Sequence, residues 1–144
     1  DVFLAERQKG ELFDHEDTCL AQLRKQYSLG VLTNGNADVY KMPIAEHFDF
    51  AYRAEQYNES KPGLALFNAA LAYKNIPAAN CLHIGDCETN DIAPAIAVGM
   101  RSARADIVAQ QQVELGKNEQ ISPSKADFTF TCWSKLLEEV ERLG

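Results

Sequence analysis

Residues 81–91 read Cys81-Leu82-His83-Ile84-Gly85-Asp86-Cys87-Glu88-Thr89-Asn90-Asp91. The first five positions have the apolar character of a buried strand, which stops at Gly85-Asp86, and acidic and amide side chains then crowd the next turn. Upstream, Leu29-Gly-Val-Leu-Thr33 repeats the pattern and ends at Asn34-Gly35-Asn36, a strong turn signal. Helical periodicity fills the space between such runs. Asp14 can cap a helix with Leu20, Leu23 and Tyr27 on one face, and a second helix is predicted over Ala37 to Glu46. Phe48-Asp-Phe-Ala-Tyr52 alternates as a strand does, and Pro62 suits the first turn of a helix striped by Leu64, Phe67 and Leu71. Downstream, Asn90 to Val98 reads as a helix that accommodates Pro94 in its first turn. Arg101 to Ile107 and Phe128-Thr-Phe130 read as short strands, and Leu136, Val140 and Leu143 stripe a last helix. Ala109 to Ser124, polar and Gln-rich, reads as a mobile surface loop. Strands alternating with helices of this length predict an α/β fold with a mostly parallel sheet covered on both faces.

The bulk properties agree with one globular domain. The chain has 144 residues, 46% hydrophobic and 24% charged, with a formal net charge of −7. That charge argues against nucleic acid as a partner, because phosphates select basic faces. A small phosphorylated substrate stays open, since the local field of a cleft decides what it binds. No apolar run is long enough to cross a bilayer, so no membrane partner is expected. The N-terminal residues lack the basic head, apolar stretch and small-residue site of a secretory leader, and a cytoplasmic location is expected. Cys19, Cys81, Cys87 and Cys132 form no CxxC and no small disulfide framework. Cys81, His83 and Cys87 have ligand types that zinc accepts, but two of them fall on a strand and no fourth ligand follows at finger-like spacing. Buried free thiols are the expectation.

In an open parallel sheet, ligands bind beyond the carboxyl ends of the strands. Three places there can do chemistry. Thr33, with the backbone N–H groups of the Asn34-Gly35 turn, can meet phosphate oxygens, although the same turn also serves as a plain strand-to-helix connection. Lys61 can pair with a phosphate or a carboxylate, or simply be solvated at a helix start. Asp86 through Asp91 offers hard oxygen ligands of the kind Mg²⁺ takes, while Asp86 or Asn90 could equally cap a helix.

The order and spacing of the three resemble one family. LGVLTNG at 29–35 is similar to the second motif of the haloacid dehalogenase-like hydrolases, SKPGLALFNAAL at 60–71 to the third, and HIGDCETNDIAPAIAVGM at 83–100 to the fourth. The resemblance runs from about Leu12 to Ile107, and ADFTFTCWSKLLEEV resembles the family's last strand and helix. It implies a three-layer Rossmann-like core, Mg²⁺ as cofactor, and phosphomonoester hydrolysis through an aspartyl-phosphate. Thr33, Asn34, Gly35 and Lys61 would then bind phosphate, with Thr33 and Lys61 also catalytic. Asp86 and Asp91 would serve the metal, Asp91 by orienting the site or holding metal-bound water. Haloacid dehalogenation needs no metal, so the acidic cluster favours phosphate chemistry. A receiver-type signalling domain uses similar residues, but its acidic pair comes first and its lysine last, opposite to the order here.

The family's first motif, DxDxT, carries the nucleophile, and it occurs nowhere in the sequence. Residues 1–10 resemble the tail of the cap that such proteins insert after that motif, leaving 11–144 as a partial core. Two expectations follow. The sheet would lack its central strand, with self-association through the gap, and this chain alone would be a non-catalytic piece that at most binds Mg²⁺ or phosphate. The substrate cannot be read without the cap, though LTNGNADV at 32–39 resembles the flavin- and riboflavin-pathway branch.

Overall fold

The computed structural model describes residues 2–5, 16–33, 48–73, 75–117 and 120–143. Among them, six strands form a single sheet: β1 (Val2–Ala5), β2 (Ser28–Thr33), β3 (Phe50–Arg53), β4 (Cys81–Gly85), β5 (Arg101–Ala105) and β6 (Phe128–Phe130). Their order is β3-β2-β1-β4-β5-β6, and every pairing is parallel. A central parallel strand is covered on both faces, which explains why β4 is buried at all five positions and β2 at its last five.

Helices supply the two outer layers. One core holds Cys19, Leu20 and Leu23 of α1 (Glu16–Arg24) with Trp133, Leu136 and Val140 of α6 (Trp133–Leu143). These pack on Leu29 and Val31 of β2 and on Leu82 and Ile84 of β4. On the opposite face, Ala54 of α2 (Ala54–Tyr57), Leu66, Phe67 and Ala70 of α3 (Ala65–Tyr73) and Ala95 of α4 (Ala93–Ala97) pack against Leu32, Phe50 and Cys81. A Cβ at Gly30 would overlap the ring of Phe50, its partner in register on β3. Glycine there lets the aromatic ring lie flat across the strand.

Several expectations change. The central sheet position is not open, because Val2–Ala5 occupies it, in register with Ser28–Val31 on one side and Cys81–Ile84 on the other. That removes the central gap on which self-association was expected. Unpaired N–H and C=O groups of β2 and β4 favour any chain that can fill the slot. Asp1 and residues 6–10 lie outside the described residues, as do Asp14 and the helix expected over Ala37 to Glu46. The stretch expected as a loop from Ala109 contains most of α5 (Ile107–Glu114), because Ile107 is buried against the sheet and anchors the turn. Strand β3 starts two residues later than expected, although Phe48 is still buried. In α3 the buried stripe is Leu66, Phe67 and Ala70, whereas Leu64 precedes the helix and is exposed. The expected helix from Asn90 splits into a π-helical turn, Glu88–Ile92, and α4, with Pro94 at its start.

Leu136 is fully buried where α6 meets the sheet. Leu136→Ala should lower stability by about 2–5 kcal/mol, the usual cost of lost contacts plus a cavity. Urea denaturation monitored by circular dichroism should show a lower midpoint with an unchanged slope.

Candidate active site

The site stands at the carboxyl edge of the sheet. On β1, Ala5 lies opposite Val31 of β2 and Ile84 of β4, so Thr33 and Asp86, each two residues further, come to the same level. Two strand spacings separate them, about 10 Å. Thr33 is 2% exposed and ends β2. Asn34 and Gly35 lie outside the described residues.

Behind this edge is a buried ionic cluster. Lys61 Nζ donates to Asp91 Oδ1 at 2.8 Å, and both side chains are fully withdrawn from solvent. His83 Nε2 meets the same oxygen at 3.0 Å, and the backbone N–H of Cys87 donates to Oδ2 at 3.2 Å. Both carboxylate oxygens are thus engaged by donors, as a buried charge requires. Burial lowers the His83 pKa, outweighing the opposing pull of Asp91, so the ring is neutral. A neutral ring carries one proton; bonding to a carboxylate assigns it to Nε2. Nδ1 is then an acceptor, with no partner among the described residues. The edge of Phe67 meets the His83 ring at 4.8 Å between centroids and fixes its plane.

Local sequence explains how Asp91 reaches that position. A Cβ at Gly85 would overlap the Asp91 carboxylate, so glycine is required where β4 ends. Asp91 then folds back over the strand end through the π-helical turn, whose wider coil starts at Glu88. Asn90 N–H donates to Cys87 Sγ at 3.4 Å and caps the turn.

Asp86, the first residue beyond β4, is exposed. Its carboxyl pKa is raised, first by partial loss of hydration and then by the negative charge of Asp91. A backbone hydrogen bond and the positive charge of Lys61 oppose that rise. Asp86 is therefore within electrostatic reach of both buried partners, and a cation beside it would relieve the crowding of negative charge. The oxygen donors available here suit a hard divalent ion. Among the described residues no group of three His, Cys, Asp or Glu side chains gathers as a full protein cage.

The sequence-predicted residues thus divide into a joined set and a neighbour. Lys61 and Asp91 touch, Asp86 sits beside them, and Thr33 shares their edge. Two participants escaped the sequence reading. His83 was taken as a strand residue, although its position eight residues before Asp91 let it back that carboxylate. Arg104, buried on β5 and bonded to Glu88 at 3.1 Å, stood in a strand of small residues where a charge demands partners.

Comparison with known proteins identifies the family. The sequence profile of the family described as "Haloacid dehalogenase-like hydrolase" matches residues 4–105. The chain is 31% identical over 122 residues to 5-amino-6-(5-phospho-D-ribitylamino)uracil phosphatase YigB of Escherichia coli (strain K12), covering 85% of this chain and 44% of the relative. Among solved structures, 2-haloacid dehalogenase from Pseudomonas syringae pv. Tomato DC3000 superposes with a TM-score of 0.80 at 33% identity, covering 93% of this chain and 55% of that one. The magnesium-bound structure of YfnB from Bacillus subtilis superposes with a TM-score of 0.71 at 20% identity, covering 92% and 56%. The chain therefore spans about half the length of the relatives it matches. Its motifs, sheet and match place it in one family: the chain belongs to the haloacid dehalogenase-like hydrolases.

Proposed function

We propose that the whole protein hydrolyses a small phosphomonoester with Mg²⁺ as cofactor. The observation that carries this reading is the exposed Asp86 carboxyl beside the buried Asp91–Lys61 pair. Asp86 would hold the ion directly. Asp91, with both oxygens bonded to protein donors, would serve the ion by fixing the turn and its waters. When bound, Mg²⁺ supplies neutralisation of phosphoryl charge and polarisation of the phosphorus. Thr33 would bind a phosphate oxygen through its hydroxyl, with N–H groups of Asn34 and Gly35 beside it. Lys61, held by Asp91, would present its positive charge to the transferring group. The nucleophile belongs to a DxDxT segment, which would form the aspartyl-phosphate and which this sequence does not contain. YigB is named for a ribityl phosphate, so a phosphorylated ribitylamine is the substrate to assay first.

A second reading is haloacid dehalogenation, favoured by the 33% identity to the Pseudomonas syringae enzyme. The acidic pair of Asp86 and Asp91 speaks against it, since attack on a carbon bearing halide gains nothing from a bound cation. Halide release from 2-chloropropionate in excess chelator would decide for the dehalogenase.

In the protein extended through DxDxT, phosphate release from an aryl phosphate should require Mg²⁺. Asp86→Asn should lower kcat/KM by about a hundredfold or more, through loss of the charged ligand. Activity that persists in excess chelator would contradict the assignment. The 144-residue chain alone, assayed beside the extended one, should be essentially inactive, because Thr33 and Lys61 stabilise charge but do not replace a carboxylate nucleophile. Turnover within about tenfold of the extended protein, a barrier difference near 1.4 kcal/mol, would place the nucleophile in this chain.

A further inference from the structure

Arg104 is 4% exposed on β5, and its guanidinium is fully occupied. Nε donates to Asp106 Oδ1 at 2.7 Å, while Nη2 reaches Asp106 Oδ2 at 3.4 Å and the carbonyl of Ser122. Nη1 donates to Glu88 Oε1 at 3.1 Å and to the carbonyl of Pro123 at 3.1 Å. Those five bonds match the five N–H groups of an arginine fork.

Glu88 is the shared member of this network. Besides Arg104 it accepts from Ser124 Oγ at 2.6 Å and from the backbone N–H of Lys125 at 3.0 Å. Burial pushes its pKa up, but the Lys125 and Ser124 bonds and the Arg104 charge outweigh that and hold it low. Glu88 lies two residues beyond Asp86 and opens the turn that carries Asp91. The turn is consequently pinned on both sides, inside by Lys61 and His83 on Asp91 and outside by Arg104 on Glu88. Asp86 leads directly into this turn, two residues before the outer pin at Glu88 and within electrostatic reach of Asp91 and Lys61.

We propose that Arg104, acting through Glu88, is a positioning residue that holds Asp86 in the geometry that binds a divalent cation. This inference rests on the reading of Asp86 as a cation ligand. An ordinary staple for residues 122–125 would leave cation affinity untouched, because that segment does not contact Asp86 through any bond described above. The fork geometry matters as well as the charge: a lysine ammonium cannot span Glu88, Asp106 and two carbonyls at once.

The test uses this chain, with Mg²⁺ as the probe, titrated while the amide signals of Cys87 and Glu88 are followed by two-dimensional NMR. Arg104→Met and Glu88→Gln should weaken Mg²⁺ binding by about tenfold or more, the usual size for residues that orient a metal's ligands. Amide exchange should accelerate at Cys87 to Asn90 while α1 and α6 keep their protection. Arg104→Lys should not restore affinity. A folded Arg104→Met variant that binds within about twofold of the parent would overturn the proposal. So would full restoration by lysine. If Arg104→Met does not fold, Glu88→Gln decides by the same criterion. Should the parent and Asp86→Asn titrate alike, the cation reading fails and this inference falls with it, a pattern distinct from failure at Arg104 alone.

Discussion

The contact between Lys61 and Asp91, closed to solvent on both sides, constrains most of what surrounds it. A charged pair taken out of water is tolerated only when its remaining lone pairs are bonded, and here His83 and the Cys87 N–H provide that. Those demands reach back into the sequence. Gly85 must lack a side chain, β4 must end where it does, and the chain must widen into a π-helical turn. Loss of either partner leaves a buried charge unmatched, typically about 3–5 kcal/mol. The pair therefore fixes local backbone geometry as firmly as it fixes charge.

Asp86 shows the complementary situation. It shares a short segment with Asp91 but faces water, and its carboxyl is crowded by a neighbour of like charge. Two carboxylates five positions apart thus receive opposite assignments, one satisfied internally and one left to meet something from outside. The division follows from the turn: Asp86 is the first residue beyond β4, whereas the π-helical turn folds Asp91 back over the strand end.

Strands β2 and β4 were legible in the sequence because burial on both faces demands unbroken apolar runs, and Asn34-Gly35 and Gly85-Asp86 mark where they stop. Asp86 and Asp91 were legible as candidates for the same reason, as polar residues just beyond the second stop, and Lys61 as a charge at the start of a helix. Other features depended on partners distant along the chain. Val2–Ala5 carries no signal of its own that selects the sheet centre over a cap tail; the empty slot between β2 and β4 selects it. Arg104 could have been flagged, since Ser102 and Arg104 point to one face of β5 and a charge there must find carboxylates. Which carboxylates it finds, Glu88 and Asp106, is settled only by tertiary contact. Helix α5 was missed because its polar, glutamine-rich surface outweighed the single buried anchor, Ile107.

The central position of β1 also bears on how the chain reaches its fold. Val2 sits opposite Cys81, more than half the chain away. The closing of so long a segment costs entropy before any pairing repays it, and parallel sheets of this kind fold slowly for that reason. Until β1 docks, β2 and β4 present facing rows of backbone donors and acceptors with nothing between them. During that interval any extended apolar segment, from this chain or another, competes for the slot. Refolding yield should thus depend on protein concentration more steeply than the acidic, well-hydrated surface of the finished molecule would suggest.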